Sequence, residues 1–130
     1  MSFQTRAQKD LILAMDLVGD VRARHNEEVQ QIYGGMCHNF PVMVRTCGLC
    51  QAIAFSEDKS ASDGDRGTAH KLLLSHVGKV LGAQDKQLLH MVRSADVVTY
   101  MQYTRQLLDS WIYFKRFAVS ILKAEAGQKE

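Results

Sequence analysis

The sequence predicts an all-α fold, a compact bundle of about six helices with long N-terminal and C-terminal helices. Two observations support this prediction. Apolar residues recur at spacings of three and four over most of the chain, which places them on one face of each helix. No segment combines alternating apolar and polar residues with the turn dipeptides that β-hairpins require.

Length, composition and charge narrow the class of protein. At 130 residues the chain fits a single helical domain, residues 1–130, which can bury a core without disulfides or metal. The net charge of +2 permits contact with nucleic acid but does not require it. The chain has no apolar run long enough for a membrane helix, no signal peptide, and an odd number of cysteines. We therefore expect a cytoplasmic protein with free thiols.

Capping residues, glycines and the single proline delimit the predicted helices. These helices span residues 3–24, 26–33, 39–48, 49–55, 68–80 and 96–125. Asn26, Asn39 and Asp96 are the candidate caps, Gly34 and Gly35 end or bend the second helix, and Pro41 stands in the first turn of the third. Residues 56–67, rich in Ser, Asp and Gly, are expected to form a flexible loop, and residues 126–130 a disordered tail.

The last helix is the most informative segment. Its core stripe follows alternating spacings of three and four through Val97, Tyr100, Thr104, Leu107, Trp111, Phe114, Ala118 and Ile121. Three further aromatic residues, Tyr103, Tyr113 and Phe117, lie beside that stripe. A helix that is apolar over so wide an arc is either central in its bundle or presents a surface to another protein. Both alternatives stay open on the residues alone.

A third face of this helix is basic. Arg105, Arg116 and Lys123 return to nearly the same angle, well away from the core stripe. Three cations on one ridge can contact phosphates along a nucleic-acid backbone without recognising the base sequence. An ordinary solvated face is the plainer interpretation, because Asp109 lies on the same side.

A Cys-x-x-Cys motif, Cys47 to Cys50, raises the question of metal or DNA binding. With Cys37 and His38 it would supply four zinc ligands, but a single such motif in a helical setting is weak evidence for a metal site. Buried cysteine also acts as a small apolar residue. Residues 44–54 would form a helix-turn-helix, yet they present few cations to DNA. We expect no metal.

No pattern of catalytic residues is present in the sequence. No glutamate is followed three residues later by histidine, as a di-iron bundle requires, and there is no glycine-rich phosphate loop. The five histidines show no metal-type pairing. We therefore expect a protein without enzymatic activity, cofactor or small-molecule substrate.

Three stretches, in order along the chain, resemble the small subunit of the type III-B CRISPR effector, the RNA-targeting Cmr complex. Residues 40–55, FPVMVRTCGLCQAIAF, are similar to that family's helix, Gly-Leu turn and Gln-Ala segment, and residues 69–77, AHKLLLSHV, to its central amphipathic helix. The most specific stretch is Tyr100-x3-Thr104-Arg105-x-Leu107-x3-Trp111-x3-Lys115-Arg116-Phe117-Ala118. One departure is Cys50, where the family usually has a second glycine, and another is Thr46-Cys47, where it has Asn-Gly.

The resemblance implies a helical, non-catalytic subunit in antiviral defence. Such subunits stack in more than one copy beside the backbone subunits of the ribonucleoprotein and line the channel where target RNA pairs with guide RNA. The implied partners are other CRISPR subunits, the backbones of guide and target RNA, and further copies of the chain, with no membrane. RNA contacts are expected at Arg45, Lys71, Arg105, Lys115 and Arg116, and subunit contacts at Tyr103, Tyr113 and Phe117.

Two other functions are consistent with parts of the sequence. A helical adaptor that binds one protein partner and no RNA would use the wide aromatic arc and be indifferent to the basic face. A zinc-containing DNA-binding regulator would use the cysteines and His38. Whether the basic face is needed for function therefore distinguishes the protein-binding adaptor from the RNA-binding subunit.

Overall fold

The computed structural model describes residues 3–83 and 87–124, which form six α-helices. They are α1 (Arg6–Arg24), α2 (Glu27–Cys47), α3 (Leu49–Ser60), α4 (Gly64–Leu81), α5 (Leu88–Arg93) and α6 (Val97–Ser120). The prediction of an all-α bundle of six helices is confirmed. Across these residues no helix is both long and apolar enough to span a bilayer. The last helix ends at residue 120 instead of 125, and the predicted tail, 126–130, lies outside the described residues.

Side-chain caps begin three of the helices. Asn26 and Asp96 each accept a hydrogen bond from the amide three residues later, at 2.9 and 2.8 Å, and both predicted caps are confirmed. The first helix begins at Arg6, later than predicted, because Thr5 and Gln8 form a reciprocal capping box. Local hydrogen bonds therefore set these boundaries.

The second and third predicted helices are one helix, α2, so the predicted break between residues 33 and 39 is wrong. Gly34 and Gly35 are buried inside α2, as is Pro41, and Asn39 is an interior residue instead of a cap. A Cβ on Gly34 would overlap the Cβ of Ala124. Glycine at this position therefore permits a close approach between two segments of the chain and does not end the helix.

Pro41 is accommodated inside α2 because a side-chain donor replaces its missing amide. In a regular helix the amide of residue 41 would bond to the carbonyl of Cys37, four residues earlier. That carbonyl instead accepts a hydrogen bond from Nε1 of Trp111 at 3.0 Å. The fully buried Trp111 side chain therefore fills the core and also donates to the Cys37 carbonyl, which would otherwise lack a hydrogen bond because Pro41 has no amide hydrogen.

The connection between α3 and α4 comprises only residues 61–63, so the predicted loop over 56–67 is too long. Ser56 is buried, and its hydroxyl lies 3.4 Å from Nδ1 of His70 on α4. Gly67 packs so closely on the carbonyl of Ser62 that a Cβ would overlap it. Residues 56–60 and 64–67 are therefore helical, although their composition predicts a loop. The segment 88–93, for which the sequence predicts no helix, forms the short α5.

An aromatic cluster forms the centre of the core between α2, α4 and α6. Trp111 stacks on Phe114 with ring centroids 4.2 Å apart, and Phe40 packs on Trp111 at 5.5 Å. Phe114 also contacts the imidazole of His76, which lies edge-on to Tyr33 at 5.2 Å. All five side chains are buried. Since burying one such side chain contributes about 1.5–3 kcal/mol, this cluster is a main source of stability.

A buried chain of hydrogen bonds crosses this cluster. The Tyr33 hydroxyl forms a hydrogen bond with Nδ1 of His76 at 2.6 Å and also interacts with the thiol of Cys37. Burial lowers the pKa of His76 to about 3, so its imidazole is neutral near pH 7. Burial also raises the pKa of Cys37 to about 12 and the pKa of Tyr33 well above its usual range. All three groups are therefore uncharged, as their burial requires.

Ser110 places a polar group in the core. Its side chain is fully buried, and its Oγ has no hydrogen-bond partner among the described residues. We expect Ser110→Ala to raise the free energy of unfolding by about 1 kcal/mol, because it removes an unsatisfied hydroxyl. Ser75→Ala, at an exposed position of α4, controls for the higher helix propensity of alanine. Equal effects of both substitutions in urea titrations would contradict the prediction.

Residues 121–124, the C-terminal segment, turn back onto α2. Lys123 adopts a left-handed backbone conformation with φ 59°, which redirects the chain. The side-chain amide of Gln31 donates to the carbonyl of Leu122 at 2.9 Å, and Nε2 of His38 lies 3.2 Å from the carbonyl oxygen of Ala124. Ala124 is fully buried. The end of the described chain is therefore fixed on α2 and is part of the core.

Candidate RNA and partner interface on α6

The core stripe predicted for α6 is buried over its central part. The fully buried members are Leu107, Trp111, Phe114 and Ala118. Towards the N-terminus the stripe leaves the core, since Tyr100 and Thr104 are half-buried and Val97 is 75 % exposed. The first turns of α6 are therefore more accessible than the sequence predicts.

α6 runs antiparallel to α2. Near its N-terminus the Tyr100 hydroxyl accepts a hydrogen bond from the amide of Cys50, just beyond α2, at 3.0 Å. Farther along, Trp111 bonds to Cys37, and the C-terminal segment meets Gln31 near the start of α2. This order allows positions on the two helices to be matched along their length.

The three aromatic residues predicted as a subunit interface lie partly inside the bundle. Tyr103, Tyr113 and Phe117 are half-buried and pack against the core. α6 contacts α1, α2, α4 and α5 but also keeps exposed apolar residues, so the sequence's two alternatives, a central helix and a helix with an outer apolar surface, both describe part of it. A role for these aromatic residues in subunit contacts stays a prediction.

Arg105 and Arg116 form the basic ridge of α6. Both side chains are exposed, and eleven residues separate them, about 16 Å along the helix axis. Lys123 is exposed too, but it lies in the C-terminal segment beyond the helix. Asp109 is exposed between the two arginines, near Asp10 of α1, whose pKa is raised mainly by partial burial and further by Asp109. The ridge therefore carries one acidic interruption.

Arg45 is exposed near the C-terminal end of α2. It follows His38 by seven residues and Gly34 by eleven, so the three share one edge of α2. That edge contacts the C-terminal segment at His38 and Gly34. Since α2 and α6 are antiparallel, Arg45 is level along the bundle with the N-terminal half of α6, which includes Arg105. A shared RNA contact of these two arginines stays a prediction.

The other two predicted RNA contacts differ in position. Lys115 is half-buried on α6, between the basic ridge and the edge that faces α2. Lys71 is exposed on α4, directly after His70, whose imidazole faces Ser56 of α3. Lys71 therefore lies on an exposed face of α4, a different helix from the one that carries the ridge.

The exposed side of α6 also carries apolar residues that the sequence analysis does not single out. Val98, Met101, Ile112 and Val119 are 65, 64, 57 and 46 % exposed. With half-buried Leu108 and the cations Arg105 and Lys115 they recur at alternating spacings of three and four. We call these residues the outer seam: Val98, Met101, Arg105, Leu108, Ile112, Lys115 and Val119. Each seam residue directly follows a residue of the core stripe, so the two sets share one periodicity. A search for spacings of three and four that starts at Val98 instead of Val97 would have identified the seam from the sequence.

The cysteines do not come together. Cys37 is fully buried, Cys50 is half-buried and Cys47 is exposed. Ten residues of α2 separate Cys37 from Cys47, about 15 Å along the axis, whereas ligands of one zinc ion lie roughly 4 Å apart. Within residues 3–83 and 87–124 no three His, Cys, Asp or Glu side chains are grouped to hold a metal ion. The zinc alternative therefore lacks a geometric basis.

Comparison with known proteins identifies the family. A family model described as CRISPR-associated protein (Cas_Cmr5) matches residues 6–121. The CRISPR system Cmr subunit Cmr5 of Thermus thermophilus is 32 % identical over 121 residues, which are 92 % of this chain and 98 % of that protein. The crystal structure of a CRISPR-associated Cmr5 family protein from the same organism matches with a TM-score of 0.76 at 32 % identity, covering 92 % and 98 % of the two chains. Because the match spans all six helices, the chain belongs to the Cmr5 family of CRISPR-associated proteins.

Proposed function

We propose that this chain is a non-catalytic, structural subunit of a cytoplasmic Cmr-type effector complex. In this role it packs beside other subunits and further copies of itself, and it contacts the backbones of guide and target RNA. The observation that carries the proposal is family membership over all six helices, together with a relative named as a Cmr subunit. Enzymatic activity would then belong to other subunits.

The exposed arginines support the RNA part of the proposal. Arg45, Arg105 and Arg116 are all exposed, and the latter two share one face of α6. Guanidinium groups at fixed positions bind phosphates and leave sequence recognition to base pairing. Lys115 would join them by extending its ammonium past its partly buried stem. Lys71, exposed on α4, would add a contact from a second helix.

The test measures target-RNA binding by the reconstituted complex over a range of salt concentrations. We expect Arg105→Glu with Arg116→Glu to weaken binding and to make the slope of log K against log salt shallower by about 1 to 2 units. Both side chains are exposed, so the bundle should stay folded.

The matched control is Lys9→Glu with Arg66→Glu, which changes the net charge equally. Both residues are exposed and lie near the N-termini of α1 and α4, where glutamate is favourable to the helix dipole. These changes should leave the salt dependence unaltered. An unchanged slope for the ridge variant, with normal incorporation, would contradict RNA contact and favour the adaptor that binds protein alone.

A further inference from the structure

The outer seam is an unpartnered apolar surface on a rigid helix. Its four most exposed apolar members, from Val98 to Val119, extend over about 30 Å of α6. Four apolar side chains exposed by 46 to 65 % on one face of a helix leave apolar area in water, and a partner that covers them would gain free energy. Phosphates gain nothing from covering it, because apolar side chains offer them neither charge nor a donor. The seam therefore calls for a partner with an apolar surface of its own.

The periodicity of the seam indicates the shape of that partner. Residues at alternating spacings of three and four form the line along which a second helix packs, knobs into holes. A helix laid along α6 would cover Met101, Leu108, Ile112 and Val119 with one apolar stripe. In this mode of recognition an amphipathic helix packs its apolar face on another helix, and apolar side chains on successive turns make the main contacts.

The two cations within the seam indicate the charge of that partner. Arg105 and Lys115 occupy seam positions, ten residues or about 15 Å apart. A helix packed here would remove both from water, and a cation that loses its hydration needs a paired carboxylate. The partner helix therefore carries two acidic residues about three turns apart in its apolar stripe.

A second copy of α6 does not meet this requirement. In an antiparallel pair, the register that matches Met101 with Val119 and Leu108 with Ile112 also brings Arg105 opposite Lys115. In a parallel pair Arg105 would face Arg105. Both arrangements oppose like charges inside an apolar contact, which costs free energy.

We infer that the outer seam docks an amphipathic helix of a different protein subunit, one with carboxylates opposite Arg105 and Lys115. The inference rests on the proposed membership of a multi-subunit complex. The contact surface it assigns is the outer seam, which does not include Tyr103, Tyr113 or Phe117. A helix docked there would pair with Arg105 and Lys115 and withdraw these two from RNA, whereas Arg116 and Arg45 are not seam members and stay available for RNA contact.

The test uses the complex reconstituted from its purified subunits. We expect Met101→Gln with Ile112→Gln to reduce retention of this chain by about tenfold, because both anchors lose apolar contact. The control is Ile12→Gln with Met15→Gln, an exposed apolar pair on α1, which should not change retention. Circular dichroism checks that both variants stay helical.

A photo-crosslinking residue, benzoylphenylalanine, at position 112 of the assembled complex identifies the occupant. Crosslinks to a helix of another protein that carries acidic residues in its apolar stripe support the inference. Crosslinks to RNA or to a second copy of this chain overturn it, as does full retention of the seam variant. Failure here is distinct from failure of the RNA role, because the seam variant keeps all of its cations, and the salt slope of Arg116→Glu alone tests RNA contact at an arginine that is not a seam member.

Discussion

Replacing Gly34 by alanine is expected to lower the free energy of unfolding by about 1–3 kcal/mol. The new Cβ would overlap the Cβ of Ala124, so the C-terminal segment must move away from α2. That movement breaks the hydrogen bonds from Gln31 to Leu122 and between His38 and Ala124, and it exposes two buried side chains. The gain in helix propensity, about 0.5–1 kcal/mol, offsets only a part of this loss. Urea titrations followed by circular dichroism measure the difference.

Gly19→Ala is the matched control for this prediction. Gly19 is also inside a helix, but nothing lies within 4 Å of the position its Cβ would take. We expect this substitution to stabilise the protein by about 0.5–1 kcal/mol. Ala124→Gly should partly restore the stability of the Gly34→Ala protein, since it removes the opposing Cβ. If Gly34→Ala stabilises as much as Gly19→Ala, the C-terminal segment is not packed on α2.

Acidification from pH 7.5 to 5 is expected to cost about 2 kcal/mol of stability through His76 alone. Burial lowers the folded-state pKa of this imidazole from 6.5 to about 3. The stabilising contribution of the neutral group is complete above the unfolded pKa of 6.5. It is lost as the pH falls from 6.5 towards 3, because the unfolded chain takes up the proton and the folded chain does not. Carboxylates contribute little in the upper part of this window, since their usual pKa values lie near 4.

The variant that tests this is His76→Gln, whose amide still offers an acceptor to the Tyr33 hydroxyl. It should be less stable than the parent at pH 7.5 but lose less stability between pH 7.5 and 5. His90→Gln, at an exposed position of α5, should keep the parent's pH dependence. Parallel curves of stability against pH for His76→Gln and the parent would rule out His76 as the cause.

Local signals predict the ends of some helices and not of others. Asn26 and Asp96 are correct caps, because each bonds to an amide three residues away and no distant contact is involved. Gly34 and Pro41 mislead, because their effects are offset by Ala124 and Trp111, which are far away in sequence. No local rule contains that information, so the two predicted segments of α2 could not be joined from sequence.

In the candidate site too, the sequence predicts what depends on one helix and not what depends on packing between helices. Periodicity correctly separates the buried Trp111 from the exposed Arg105 and Arg116, since all lie on one regular helix. It does not place Arg45 or Lys71 relative to them, because that depends on how α2 and α4 pack on α6. The outer seam was overlooked for a different reason. The core stripe already accounts for most apolar residues of α6. A second stripe displaced by one residue is therefore easily taken for the edge of the same apolar face.

Trp111, which donates a hydrogen bond to the Cys37 carbonyl, makes the contact between α2 and α6 observable by fluorescence. Trp111 is the single tryptophan of the chain, and its indole is enclosed by Phe40 and Phe114. Its emission should therefore shift to longer wavelength when α2 and α6 separate and water reaches the ring. Fluorescence then follows this one helix pair, whereas circular dichroism averages over all six helices. A difference between the two transitions would reveal whether the pair opens before the rest of the bundle.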